Sequence, residues 1–318
     1  MAALALSSLE LGPAKYTLGA LATIASKSGA TLTESLDEFK VEGELSGYVH
    51  TRRLGIKAEL TFTPDNQITS GIISALWPYI GASPSKKPGD SCFSSSAATA
   101  LVAATMDGKT HTIADAAVTS MPDLNFAPNK DLIGNVTYTG RIAYSVAPPG
   151  AGALVTHGTA VWSAPTFASA DFITGTPTLT LKSSADATLW SSESDDGWTV
   201  SFPMRTQEIR AAGRLRDIRY LGHEVIVRGI PVDAVPADLL SEFEGGTDVT
   251  TGDAYRATPY HLILTMGTTP SLLTLDIPLA APMDLTTRYA ADSVRVGEVG
   301  FHAIKAMNTH KMVTLAIS

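Results

Sequence analysis

Five short strings and the scattered histidines of this sequence carry residue types that do chemistry elsewhere, and each can be judged on spacing. Ser46 lies in Gly43-Glu44-Leu45-Ser46-Gly47, but a nucleophile elbow needs glycine two residues to each side and a strand-to-helix turn that raises the hydroxyl. Here the glycines stand three before and one after. Ser83-Pro84-Ser85-Lys86 spells S-x-x-K inside a proline-rich stretch, where no helix would hold serine and lysine together. Gly150-Ala151-Gly152-Ala153 starts like a dinucleotide fingerprint, yet the third glycine is missing and Pro148-Pro149 precedes it, so it reads as a turn. The seven histidines are scattered, with no H-E-x-x-H and no paired spacing that sets two imidazoles on one metal. Asp195-Asp196 is a turn former, and Asn135-Val136-Thr137 is a glycosylation string with no export route beside it. No catalytic residue, cofactor or metal is therefore expected, and the chain reads as a structural protein rather than an enzyme.

Composition narrows the class further. Cys92 is the sole cysteine, which excludes an intrachain disulfide and a multi-thiolate zinc site and fits synthesis in a reducing cytoplasm. Charged residues make up 17% of the chain, below the roughly 25% of ordinary soluble domains. Such a surface, rich in Thr, Ser and Ala, suits burial against partners. A net charge of −8 argues against a phosphate-binding track. The densest basic stretch, Arg205 to Arg219, is interrupted by Glu208 and Asp217 and reads as a solvated or intersubunit face. Met1 to Ser26 lacks a basic n-region and is broken by Glu10, Gly12, Pro13 and Lys15, so no signal peptide is expected. No run nears the roughly 18 apolar residues of a spanning helix, so no membrane is implied.

The elements that must position any functional surface show a repeat. Arg52 to Pro64 lies over Arg219 to Pro231 at a constant offset, since 221 − 54 and 231 − 64 both give 167. Leu54, Ile56, Ala58, Leu60 and Phe62 alternate as in a half-buried strand, as do Leu221, Val225 and Val227, and proline closes each segment. At the same offset Ile72, Ile73 and Leu76 lie over Leu239, Leu240 and Phe243, the apolar stripe of a short helix. Thr69 or Ser70 would cap the first helix and Pro236 suits the start of the second. A looser match sets Leu124 to Asp131 over Ile277 to Asp284, each before closing strands at Val136 to Val146 and Val294 to Ala306.

A length of 318 residues suits two domains of about 150 each. The reading is a first β domain over 1–146, a linker or insertion with added strands over 147–197, and a second β domain over 198–318. Thr178 to Leu181, Trp198 to Phe202, Leu262 to Met266 and Leu272 to Ile277 read as strands. Gly81 to Lys109 and Ala147 to Gly197 read as loops.

An amphipathic strand closed by Pro64, a short helix ending near Trp77, a long variable loop and a closing strand with Gly134-Asn135-Val136-Thr137-Tyr138 together resemble the tail tube proteins of long-tailed bacteriophages. The resemblance covers most of 30–146 and 198–306 and rests on element order and pattern. It implies a mainly β fold of two tandem tail-tube-like sandwich or barrel domains, each with a flanking helix. It also implies self-association into rings, as a trimer with pseudo-sixfold symmetry or as a hexamer, stacked into a tube. Other phage tail proteins would be partners, DNA would pass through the lumen without specific binding, and the location would be the virion tail. A net negative lumen follows, because a phosphate backbone sliding past basic clusters would stick. Phe93, Leu101, Val102 and Met106, apolar residues in the Gly81 to Lys109 loop, are the expected inter-ring contact, and the shorter Glu244 to Tyr255 stretch would play the smaller part. A tail terminator, a capsid decoration protein, a carbohydrate-binding β-sandwich and an enzyme with a dispersed site remain the alternatives.

Overall fold

A computed structural model describes residues 7–18, 22–26, 30–43, 47–80, 86–93, 100–128, 130–141, 154–163, 166, 168, 171–183, 185–211, 214–243, 259–290, 293–304 and 313–318. The chain is mainly β. Its first half contains β1 (Ser7–Leu11), β2 (Ala14–Leu18), β3 (Ala22–Ser26), β4 (Ala30–Gly43), β5 (Gly47–Phe62), α1 (Ser70–Leu76), β6 (Leu101–Thr105), β7 (Lys109–Ile113), β8 (Asp115–Ser120), β9 (Leu124–Phe126), β10 (Val136–Arg141) and β11 (Val155–Thr159). These form two antiparallel five-stranded sheets, ordered β1-β4-β5-β10-β8 and β11-β7-β6-β2-β3.

Period-two patterning explains why the sheets meet. Ala58, Leu60 and Phe62 are buried on one face of β5, and Ala14, Tyr16 and Leu18 on one face of β2. Tyr16 stacks on Phe62 across the sandwich with ring centroids 3.8 Å apart, and Phe62 stacks on Tyr138 at 6.0 Å. The chain passes from one sheet to the other at Ala114, between β7 and β8. There a side chain at Gly140 would force a shift, because a Cβ on it would sit 2.1 Å from Ile113 Cγ2. Helix α1 is capped by Thr69, whose hydroxyl accepts from Ile72 N at 3.2 Å, and it buries Ile72, Ile73, Ala75 and Leu76. Trp77 follows, fully buried, with its indole N–H donating to Pro122 O at 2.9 Å.

The second half contains β12 (Thr178–Lys182), β13 (Thr188–Ser201), β14 (Met204–Ala211), β15 (Arg214–His223), β16 (Ile226–Pro231), α2 (Ala237–Phe243), β17 (Tyr260–Met266), β18 (Leu273–Ala290), β19 (Ser293–Ala303) and β20 (Thr314–Ile317). The order β12-β17-β18-β19-β16-β13 closes on itself, because β13 also pairs with β12. The result is an antiparallel barrel, with β9 added beside β13 and β20 beside β18. Leu179, Leu181, Leu262, Leu264, Leu275, Ile277, Val227 and Phe301 are buried at alternate positions of its strands.

Several sequence expectations change here. Arg52 to Pro64 lies in one strand and its tail, whereas Arg219 to Pro231 is split between β15 and β16. Gly222, at φ +140, and the bond from Glu224 N to Pro203 O let β15 leave the barrel and pair with β14. The looser match also separates, since β9 is three residues long while Ile277 to Asp284 runs inside β18. Leu101–Thr105 is a strand rather than loop; its alternation hides in an Ala- and Thr-rich run. Residues 81–85, 94–99 and 244–255 lie outside the described residues. Of 147–197, β11 joins the sandwich while β12 and β13 are staves of the barrel. One unit does recur: β5 leads into α1 and pairs with β10, which pairs with β8, and β16 leads into α2 and pairs with β19, which pairs with β18.

Candidate assembly surfaces

Three two-stranded ribbons stand out from this framework. β1 pairs with Ala30 to Glu34 of β4, and β10 with Ala58 to Phe62 of β5. Beyond them, from Ser35 opposite Lys57 to Gly43 opposite Gly47, β4 and β5 pair only with each other among the described residues. The barrel behaves alike: from Thr287 opposite Val296 to Ala290 opposite Ser293, β18 and β19 have no third strand among the described residues. The third ribbon is β14–β15, from Met204 opposite His223 to Ala211 opposite Arg214. A lone two-stranded ribbon is marginally stable in water, and its outer N–H and C=O groups are a template for another strand.

The β14–β15 ribbon is fastened along its inner edge. Gly89 N donates to Tyr220 O at 2.7 Å, Tyr220 N to Asp90 O at 2.9 Å and Cys92 N to Ile218 O at 2.7 Å, so residues 89–92 run beside β15. Arg141 lies beneath, with Nε donating to Asp115 Oδ2 at 2.8 Å, Nη1 3.8 Å from Asp217 Oδ1, and the guanidinium 4.2 Å from the Phe93 ring centroid. Ser91 Oγ and Arg219 Nε both donate to Asp217, and Lys86 Nζ donates to Ser91 O and Phe93 O. Burial pushes the Lys86 ammonium below its ordinary value. Lys86 thus serves as a loop staple, while Ser83, its companion in the S-x-x-K string, lies outside the described residues.

That fastening leaves β14 as the outer edge, with Arg205 to Arg210 all exposed. Three arginines of the ribbon carry acidic companions: Arg205 with Glu224, Arg210 with Glu208 at 2.7 Å, and Arg219 with Asp217 at 2.8 Å. A face compensated in this way offers nucleic acid little net charge.

The residues singled out for inter-ring contact separate. Phe93 is buried under Arg141, and Leu101 is buried opposite Leu18 and Ile113 in the sheet. Val102 is half-buried. Met106 alone is exposed, at 59%, in the β6–β7 turn. Ala160 N donates to Gly108 O in that turn at 2.9 Å, which brings Val161, 97% exposed, to the same end of the sheet. Sequence reasoning overlooked Val161, because a single valine after a threonine-rich strand carries no signal. It overlooked the Arg141 network for another reason: its members lie far apart in the chain and meet only through β15.

Among the described residues no group of three or more His, Cys, Asp and Glu side chains converges to hold a metal ion. No helix there is long and apolar enough to cross a membrane. The chain matches no family model and no curated protein, so its functional reading rests on the edges and ribbons described above.

Proposed function

We propose that this chain is a tail tube subunit of a long-tailed bacteriophage, a structural protein that forms rings and stacks them into the conduit for the genome. The observation that carries this reading is the set of three ribbons whose outer edges find no strand within the described chain. A closed ring gives each such edge a neighbour and removes the aggregation hazard of leaving it open. The exposed pair Met106 and Val161, at one end of the sandwich, supplies an apolar axial contact. The recurrence of strand, helix and two closing strands in both halves favours two tandem tail-tube-like units, hence three chains in a pseudo-sixfold ring rather than six. A net charge of −8 with a compensated basic ribbon is compatible with a lumen that DNA passes without sticking. Other tail proteins would meet the ends of the tube.

Size-exclusion chromatography with negative-stain imaging of the purified chain tests this. Stacked rings are expected, with a ring mass three times the 33.3 kDa of the chain. Rings that never stack would point instead to a tail terminator, and a monomer at every concentration would overturn the proposal.

A further inference from the structure

The fold brings together two histidines that lie far apart in the sequence. His111 on β7 and His157 on β11 are directly opposite in the antiparallel register, so their side chains share a face. Their Nδ1 atoms are 2.8 Å apart, and the rings cross at 78° with centroids 5.1 Å apart. His111 is buried at 6% exposure, whereas the His157 side chain is 58% exposed. One imidazole is thus anchored in the sandwich and the other opens to solvent.

At that separation one ring must present N–H and the other a lone pair, since two N–H groups would collide. His157 Nε2 faces Glu34 Oε1 at 3.8 Å. The carboxylate favours the proton on Nε2, which leaves His157 Nδ1 as the acceptor and His111 Nδ1 as the donor. At 3.8 Å the carboxylate is beyond hydrogen-bond reach and acts on the tautomer through its charge alone. Asp107 and Lys109, which flank His111, pair with each other at 2.9 Å.

We propose that His111 and His157 form a two-imidazole site for a divalent transition metal ion of the Zn(II), Ni(II) or Cu(II) kind, which staples edge strand β11 to β7. The metal takes the place of the shared proton. That proton moves from Nδ1 to Nε2 of His111, both Nδ1 lone pairs coordinate, and none is released. Zn–N bonds of about 2.0–2.1 Å at a tetrahedral angle set the two nitrogens roughly 3.3 Å apart. The required widening, about half an ångström, falls on the exposed edge strand. Water completes the coordination, and imidazole donors select against Mg(II) and Ca(II). Among the described residues β11 has only β7 as a sheet neighbour, so a metal bond between their side chains would add to the backbone pairing, the His111–His157 contact and the buried Val155 that hold it now.

The untagged full chain provides the test, through thermal melting against added Zn(II) and electron paramagnetic resonance of added Cu(II). Expected are a melting temperature that rises to saturation at one Zn(II) per chain and a Cu(II) spectrum with two equatorial nitrogens. His157→Gln, at an exposed position that tolerates change, should abolish both signals. Glu34→Gln should weaken binding by no more than about tenfold, and His302→Gln should leave it unchanged. A Zn(II) response that survives His157→Gln, or a Cu(II) spectrum with a single nitrogen, overturns the proposal. If His111→Gln fails to fold, the His157→Gln result decides.

Discussion

His223, at the end of β15, has one ring nitrogen on the Tyr220 hydroxyl and the other buried without a partner. Burial pushes its imidazole from 6.5 down to about 4. The unfolded chain therefore holds that proton more tightly than the folded one. Stability from this group is complete above about pH 6.5 and declines as pH falls towards 4, by about 3 kcal/mol in all. Urea unfolding of wild type and His223→Phe at several pH values should show the gap between them narrowing, then reversing, as pH drops. A gap independent of pH would contradict this. Gly140 poses a steric problem instead. Gly140→Ala drives a methyl group into Ile113 and should cost about 1–3 kcal/mol, and Ile113→Ala in the same chain should recover part of that. Neither residue was legible beforehand, because burial and close approach belong to the folded neighbourhood and not to the residue type.

At the scale of elements, the Arg141 network adds side-chain contacts among three pieces: the sandwich edge, residues 86–93 and the β14–β15 ribbon. Arg141→Leu removes the guanidinium from Asp115, which is 2% exposed, and should destabilise the chain by about 3 kcal/mol or more. Hydrogen exchange should then quicken at Gly89, Cys92 and Tyr220, whose amides carry the pairing between 89–92 and β15. Exchange that quickens equally everywhere would mean that Arg141 supports the whole fold rather than this joint. Elements with strong periodicity were readable from sequence: the short helix with its Thr69 cap, and the strands around Leu179, Val200, Leu264 and Leu275. What escaped were strands whose alternation uses Ala, Thr, Ser and His, such as β6 and β11, where apolar contrast is faint. The break between β15 and β16 escaped too, because Gly222 and Glu224 resemble any other residues of a half-exposed strand. Of the four contact residues chosen from sequence, Phe93 and Leu101 serve the chain's own core, since an apolar side chain in a supposed loop signals burial without saying against what.

For the whole molecule, assembly and folding should be separable by mutation. Met106→Asp together with Val161→Asp places charge at one end of the sandwich, at side chains that bury little in the chain itself. The double variant should melt within about a degree or two of wild type, because exposed substitutions usually change stability by no more than about 0.5 kcal/mol. Its rings should form but stack poorly, as judged by tube length in negative stain. Tubes of unchanged length would remove this end from the axial contact.

The closed barrel also sets a schedule for the ribosome. β12 begins at residue 178 and takes β17, which begins at residue 260, as its second neighbour. At about 5–20 residues per second, the intervening stretch takes roughly 4–16 s to make. Through that interval the β12–β13 hairpin waits beside a finished sandwich with one strand edge open. Nascent chains that follow one another on the same messenger within that interval expose identical edges together, which is the condition for exchanging strands between chains. Faster translation of residues 183–260 should therefore raise the yield of correctly closed subunits, and pauses there should lower it.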